Sequence, residues 1–226
     1  MAMTDDSRVK HVIALAHEAP LAIGHQRAVY QHPVQPDLLI KTMRPESIAR
    51  RWNSRGRWWK RLPRARQYSS FVRELKEYVA AHARVAGANP PIARVIGLVE
   101  TDLGLGLVCE KVRGPDGGLA PTLHDVYVRG GGAPAWADAA LEKLLEDLLR
   151  HNVIVGDLNG ANLAWGSDSR GGPRLIVIDG FGEKSFIPFS SMSPWFNRHF
   201  ILRRYRRMLR RLATPVSDWG APRYEP

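Results

Sequence analysis

The chain has 226 residues, 44% hydrophobic and 24% charged. That is ordinary globular usage: it argues against wholesale disorder and fits one sizeable core or two small lobes sharing an interface. The unusual quantity is a formal net charge of +11. It is concentrated in two places. Residues 50–66, RRWNSRGRWWKRLPRAR, carry eight Arg or Lys and three Trp, and residues 197–212, NRHFILRRYRRMLRRL, carry seven Arg; neither run holds an acid, and the rest of the chain sums to about −4. Such local charge suits an anionic partner: nucleic acid, phospholipid or a phosphorylated glycan.

From the start of the chain, the acids ahead of a short, interrupted apolar run argue against a cleaved export signal. HVIALA, LAIGHQRAVYQHP with a turn at Gly24, and PDLLIKTM read as a meander of strands. Gly56 and Pro63 break the basic segment, so no continuous helix is expected through it. SSFVRELKEYVAAHARVAG places Phe71, Leu75, Tyr78, Val79 and Val85 broadly at helical period, predicting a helix over about 69–86 stopped at Gly87. IARVIGLVETDLGLGLVCEKV reads as two apolar strands joined near Asp102, and Cys109 within it as a buried, inert thiol in a reducing compartment. RGPDGG is the clearest linker signal and sets a boundary between 1–113 and 114–226.

Beyond that boundary, Thr122 with Asp125 predicts a capping box. ADAALEKLLEDLLRHN aligns Leu141, Leu144, Leu145, Leu148 and Leu149 on one face of an amphipathic helix. VIVGDLNGANLAWG and PRLIVIDGFGEK read as two β runs, each ending in an Asp-containing, glycine-rich turn. A basic helix over about 197–213 follows, with Ile201, Tyr205, Met208 and Leu212 at helical spacing. Its apolar stripe would dock on the body or lie on an anionic membrane surface. No stretch approaches 18 apolar residues, so no membrane span is expected.

Asp157, Asn162 and Asp179 are the candidate chemical residues. Asp157 opens DLNGAN, with Asn162 five positions on, and Asp179 closes the apolar run LIVI. Oxygens at the mouths of two strands suit Mg²⁺, which takes one or two carboxylates together with phosphate oxygens. Either motif alone would also serve as a turn; the order and spacing of the pair match a kinase catalytic loop and metal-binding turn. Upstream, LLIKTM offers Lys41 at the end of a strand and FVRELKEY offers Glu74 on a helix.

On IGHQRAVYQHP, LLIKTM, VRELKEY, GLVETDLGLGLV, DLNGANLAW and VIDGFGEKSFIP, the chain resembles proteins of the protein-kinase-like fold, most closely the YrbL family of PhoP regulatory network proteins. The resemblance covers about residues 20–190, apart from the basic segment. It implies an α+β, two-lobed fold with an antiparallel N-lobe sheet, one main helix and a reduced, mainly helical C-lobe. It implies an ATP- and Mg²⁺-dependent phosphotransferase in which Lys41 holds the α/β-phosphates and pairs with Glu74. Asp157 would orient or deprotonate the acceptor hydroxyl, and Asn162 and Asp179 would ligate Mg²⁺. Glu110 to Val112 would form the adenine hinge, with Gly24 and Arg27 in the loop over the phosphates. The catalytic loop would span 155–163 and the metal turn 179–182; the basic segment becomes an N-lobe insertion, 44–67.

Several positions depart from that pattern. There is no G-x-G-x-x-G, so His25 or Arg27 would replace backbone donors with charge. Val155 and Gly156 precede Asp157 where protein kinases have His-Arg, which resembles the loops of aminoglycoside and lipopolysaccharide-core kinases. The metal turn reads DGFG, with Gly180 ahead of Phe181. The 47 residues after Asp179 contain no Ala-Pro-Glu. The expected acceptor is therefore a small molecule, glycan or lipid-linked group rather than a peptide. A nucleotide-binding pseudokinase with a regulatory role is the alternative. A nucleic-acid binder using Arg and stacked Trp is the less favoured one, because the basic insertion falls between Lys41 and Glu74. The expected location is cytoplasmic, with peripheral contact at the inner membrane surface through 50–66 and 197–212, and the expected state a monomer or weak dimer.

Overall fold

A computed structural model describes residues 12–46, 66–83, 89–183 and 189–214. The basic segment 50–66 lies almost wholly outside the described residues. The first layer is a five-stranded antiparallel sheet in the order β1-β2-β3-β5-β4. Its strands are β1 (Ala22–Ile23), β2 (Arg27–Gln31), β3 (Leu38–Met43), β4 (Val95–Thr101) and β5 (Gly104–Glu110). The meander around Gly24 and the hairpin near Asp102 stand as the apolar alternation predicts. The described part of HVIALA, residues 12–16, forms no strand; Ile13 makes a single bridge to Thr101, and the Asp102 carboxylate accepts from the backbone of Leu15 at 2.7 Å and Ala16 at 3.1 Å.

Side-chain alternation divides this sheet between two cores. Ala28, Tyr30, Ile40 and Val108 fall on one face with Leu15. Met43, Leu107 and Cys109 fall on the other, in the main core with Phe71 of helix α1 (Ser69–Ala83). Register pairs Arg27 with Met43, and Lys41 with both Val29 and Leu107. Arg27 and Lys41 therefore project from the same face of the sheet, the one that α1 covers.

The buried side of α1 differs from the apolar stripe the sequence suggests. Val79 is 59% exposed, while Phe71, Glu74, Glu77 and Ala81 are buried. Two acids on a buried face need partners, and both have them, as described below.

The remaining elements are α2 (Leu123–Gly130), α3 (Ala137–Arg150), a two-stranded antiparallel sheet of β6 (Leu163–Asp168) and β7 (Gly171–Val177), the short α4 (Phe189–Met192) and α5 (Pro194–Leu212). The Thr122–Asp125 capping box opens α2. Leu141, Leu144 and Leu148 of α3 bury against the same main core as Phe71, while Lys143–Asp147 and Arg150–Glu146 pairs line its wet side. Ser193 caps α5, with Pro194 in its first turn. Ile201, Tyr205 and Met208 of α5 dock inward on that core, so the apolar stripe of the basic helix is spent on the body of the protein. No helix among the described residues is long and apolar enough to cross a membrane.

Candidate functional site

Four charged side chains meet where the sheet, α1 and the end of β7 converge. Arg27 Nη2 donates to Glu74 Oε1 at 2.6 Å, and Arg27 Nη1 lies 3.4 Å from Asp179 Oδ1. The Arg27 guanidinium also stands over the Phe71 ring, 5.2 Å from its centroid. Lys41 Nζ donates to the Ile178 carbonyl at 2.5 Å. The expected Lys41–Glu74 pair is thus not formed: Arg27 occupies Glu74, and Lys41 is held by the backbone immediately before Asp179. The reason is geometric, since Arg27 and Lys41 share one sheet face and the longer, forked side chain reaches α1. Glu74 Oε2 and Arg27 Nη1 are buried and make no hydrogen bond.

Asp179 is positioned by β7, whose Val177 exchanges backbone hydrogen bonds with Pro91 and Ala93 at 2.8 and 2.9 Å. The chain then turns through Gly180 (φ +77°), where a Cβ would lie 2.9 Å from Asn162 Nδ2 and 3.0 Å from Asp157 Cβ. Only glycine fits that approach and that φ. Gly182 (φ +91°) similarly abuts the Arg73 carbonyl of α1. The two Asp motifs are knitted together: Asp157 N donates to Gly180 O at 3.0 Å, Ile178 N to Asn162 O at 2.9 Å, and Asn162 Nδ2 to Asp157 O at 2.9 Å. Asn159 Nδ2 donates to Asp157 Oδ1 at 3.0 Å while its own Oδ1 caps the 3₁₀ turn of residues 160–162.

Burial opposes the charge on Arg27, but Glu74 and Asp179 outweigh it and push its pKa up. Lys41 is likewise raised: burial opposes the charge, and the Cys109 sulfur, Glu74 and Asp179 prevail. The two carboxylates are driven apart. Burial lifts Glu74 above its ordinary value despite Arg27, whereas Arg27 and Lys41 hold Asp179 below its ordinary value against burial. Glu74 is therefore the carboxylate that takes a proton first. Asp179 stays anionic, with a side chain that is 42% exposed.

This donor set suits a phosphate–Mg²⁺ pair. Two cations and an ionised, half-exposed carboxylate stand together, and the unbonded Arg27 Nη1 and Glu74 Oε2 give capacity for rearrangement. No group of three or more His, Cys, Asp or Glu side chains gathers for a metal among the described residues. Mg²⁺ bound through one or two carboxylates plus phosphates needs no such cage.

The other expected residues add no side chain to this cluster. Gly24 sits in the β1–β2 turn, donating to Arg27 O at 2.7 Å and accepting from Arg44 Nη1 at 3.2 Å. The Glu110 carboxylate accepts from Ser169 N at 2.6 Å and Ser169 Oγ at 2.9 Å, and the buried Val112 accepts through its carbonyl from Ala120 N. Sequence reasoning missed Glu77, whose Oε1 accepts from the buried Ile154 N at 2.8 Å and so fixes the segment entering the Asp157 loop to α1. Its only signal was its place three residues after Glu74. Asn197 was missed as well; fully buried on α5, it donates to Asn152 Oδ1 at 2.9 Å.

The model of the family described as PhoP regulatory network protein YrbL matches residues 13–213. The chain belongs to that family. Relatives named "Uncharacterized protein YrbL" from Escherichia coli (strain K12) and Shigella flexneri are each 26% identical over 188 residues. The match covers 81% of this chain and 80% of each relative. The part matched to the YrbL family contains Arg27, Lys41, Glu74, Asp157, Asn162 and Asp179.

Proposed function

We propose that the chain is an ATP- and Mg²⁺-dependent phosphotransferase on a two-lobed, protein-kinase-like fold, with a small-molecule, glycan or lipid-linked acceptor. The observation that carries this is the convergence of Arg27, Lys41 and Glu74 on Asp179, in a turn hydrogen-bonded to the loop of Asp157 and Asn162. Lys41 and Arg27 hold the phosphates; Glu74, with one oxygen unbonded, takes up whichever cation leaves its present partner. Asp179 and Asn162 would hold Mg²⁺, which supplies charge neutralisation at the phosphate oxygens. Asp157 receives the proton of the acceptor hydroxyl as the acceptor oxygen bonds to the terminal phosphorus. The bridging P–O bond to the β-phosphate breaks and ADP leaves. Rate comes from positioning and electrostatics. Glu110 to Val112 form the adenine edge, and the arginines of α5 favour an anionic partner or membrane surface.

A nucleotide-binding regulator without catalysis is the second reading, favoured by the Arg27–Glu74 pair standing where a Lys41–Glu74 pair is expected and by the lack of a glycine-rich loop. Slow ATP turnover separates the two. Wild type should exceed Asp157→Ala and Asp179→Asn by at least tenfold; equal rates in all three would remove catalysis.

A further inference from the structure

The outer side of α5 is not explained by docking. Arg203, Arg207, Arg210 and Arg211 line a groove of about 520 Å³ that ends at Thr214. That volume is in the range of a small-molecule site. Arg204 stands between this groove and the buried stripe. Its guanidinium is part-buried over the Phe200 ring, 5.6 Å from the centroid, and its Nη1 is buried with no hydrogen-bond partner among the described residues. A guanidinium has five donors in a fixed fork, and a buried, unmade N–H bond is costly. Arg204 lies within electrostatic reach of Asp157 and Glu183 as well as Arg203 and Arg207. The end of α5 touches the same loop, because a Cβ on Gly160 would meet Leu212 at 3.6 Å. Asn197 ties the start of the helix to Asn152 and Val153, just ahead of that loop. The helix is thus fixed along the segment that carries Asp157.

We propose that Arg204, backed by Arg203 and Arg207, binds a phosphate group on the acceptor, so that the molecule phosphorylated is itself a phosphomonoester bearing a free hydroxyl. This rests on the phosphotransferase reading. Turning from the Phe200 ring toward the adjoining groove, the Arg204 guanidinium would pair with phosphate through the Nη1–H that is now buried and unmade, and the phosphate would offset the crowding of the neighbouring arginines. Asp157, within electrostatic reach of Arg204, would face the hydroxyl of the same molecule.

The test uses the full chain saturated with Mg²⁺ and a non-hydrolysable ATP analogue, titrated calorimetrically with inorganic phosphate and with glycerol 3-phosphate. Sedimentation with phosphatidic acid vesicles forms a second arm. Wild type should bind, Arg204→Ala should bind about tenfold more weakly or worse, and Arg150→Ala, on the wet side of α3, should be unchanged. Arg204→Lys keeps the charge without the fork and should also lose affinity, which covers a poorly folding Arg204→Ala. Loss in the soluble arm identifies a free phosphomonoester, and loss confined to the vesicles a lipid headgroup. Wild type that binds none of the three probes, or binding indifferent to Arg204, overturns the proposal. Affinity for the ATP analogue is read in the same proteins: its absence alongside Arg204-dependent phosphate binding would sink the phosphotransferase reading and leave the anion site standing.

Discussion

Arg27 and Glu74, 47 residues apart in sequence, form a buried 2.6 Å ion pair that leaves Lys41 bonded to the carbonyl of Ile178. The arrangement joins β2 to α1 and sets a guanidinium between Glu74 and Asp179. Arg27, Lys41 and Asp179 keep their charges through one another, while burial works against the charge on Glu74.

Removing one member should therefore cost more than removing two. Arg27→Met leaves Glu74 buried without its partner and should destabilise the protein by about 3–5 kcal/mol. The double variant Arg27→Met with Glu74→Leu should recover part of that loss in urea denaturation. A double variant no more stable than Arg27→Met would contradict this, and losses that simply add up with that of Glu74→Leu would show that the pair is not coupled.

Acid titration should reveal two opposed contributions. The Asp179 pKa is depressed below its ordinary 3.8, so its contribution is present above that value and is lost as pH falls through the folded value. The Glu74 pKa is raised above its ordinary 4.5, so its contribution is present below that value and is lost as pH rises through the folded one. Across the acidic range, Asp179→Asn should flatten the fall toward low pH, and Glu74→Gln the decline as pH rises. Urea midpoints followed against pH read both effects; unchanged slopes would count against the assigned directions.

Gly180→Ala should separate the two Asp motifs. The new methyl would press on Asn162 Nδ2 and Asp157 at a backbone angle that disfavours side chains. A stability loss of at least about 1 kcal/mol is expected, with loss of ATP turnover. Gly97→Ala is the control, since a Cβ there meets nothing within 4 Å.

Glu77 makes a different kind of link. Glu77→Ala strips the buried Ile154 N–H of its acceptor and should cost about 1–3 kcal/mol. Glu77→Gln keeps a carbonyl oxygen and should cost clearly less. Thermal denaturation of the two variants distinguishes them.

What could be read from the sequence follows the range of the forces involved. Period-two and period-3.6 apolar patterns placed β2 to β5, β7 and α3 closely, because burial of alternate or stacked side chains is local; the β run expected to end at Asp157 makes only one bridge, Val155 to Phe181, and β6 starts after Asn162. The helix expected over 69–86 is described over Ser69–Ala83, and the one expected over 197–213 runs from Pro194 to Leu212, with Ser193 and Pro194 as its unread start signal. On α1 the apolar pattern misled, since Glu74 and Glu77 are buried by partners 47 and 77 residues away. The same distance hid the choice of Arg27 over Lys41 as the Glu74 partner. Asp157, Asn162 and Asp179 were legible because glycine turns and paired polar side chains at fixed spacing announce close backbone approach. The approach itself is made at Gly180.

The central claim is that Arg27, Lys41, Glu74 and Asp179 form a Mg²⁺-dependent ATP site. Calorimetric titration with ATP, with and without Mg²⁺, tests it most directly on wild type, Lys41→Met and Asp179→Asn. The account predicts Mg²⁺-dependent binding to wild type that weakens about tenfold or more in each variant. Wild type without affinity for ATP, or binding indifferent to Mg²⁺ and to both substitutions, would contradict it.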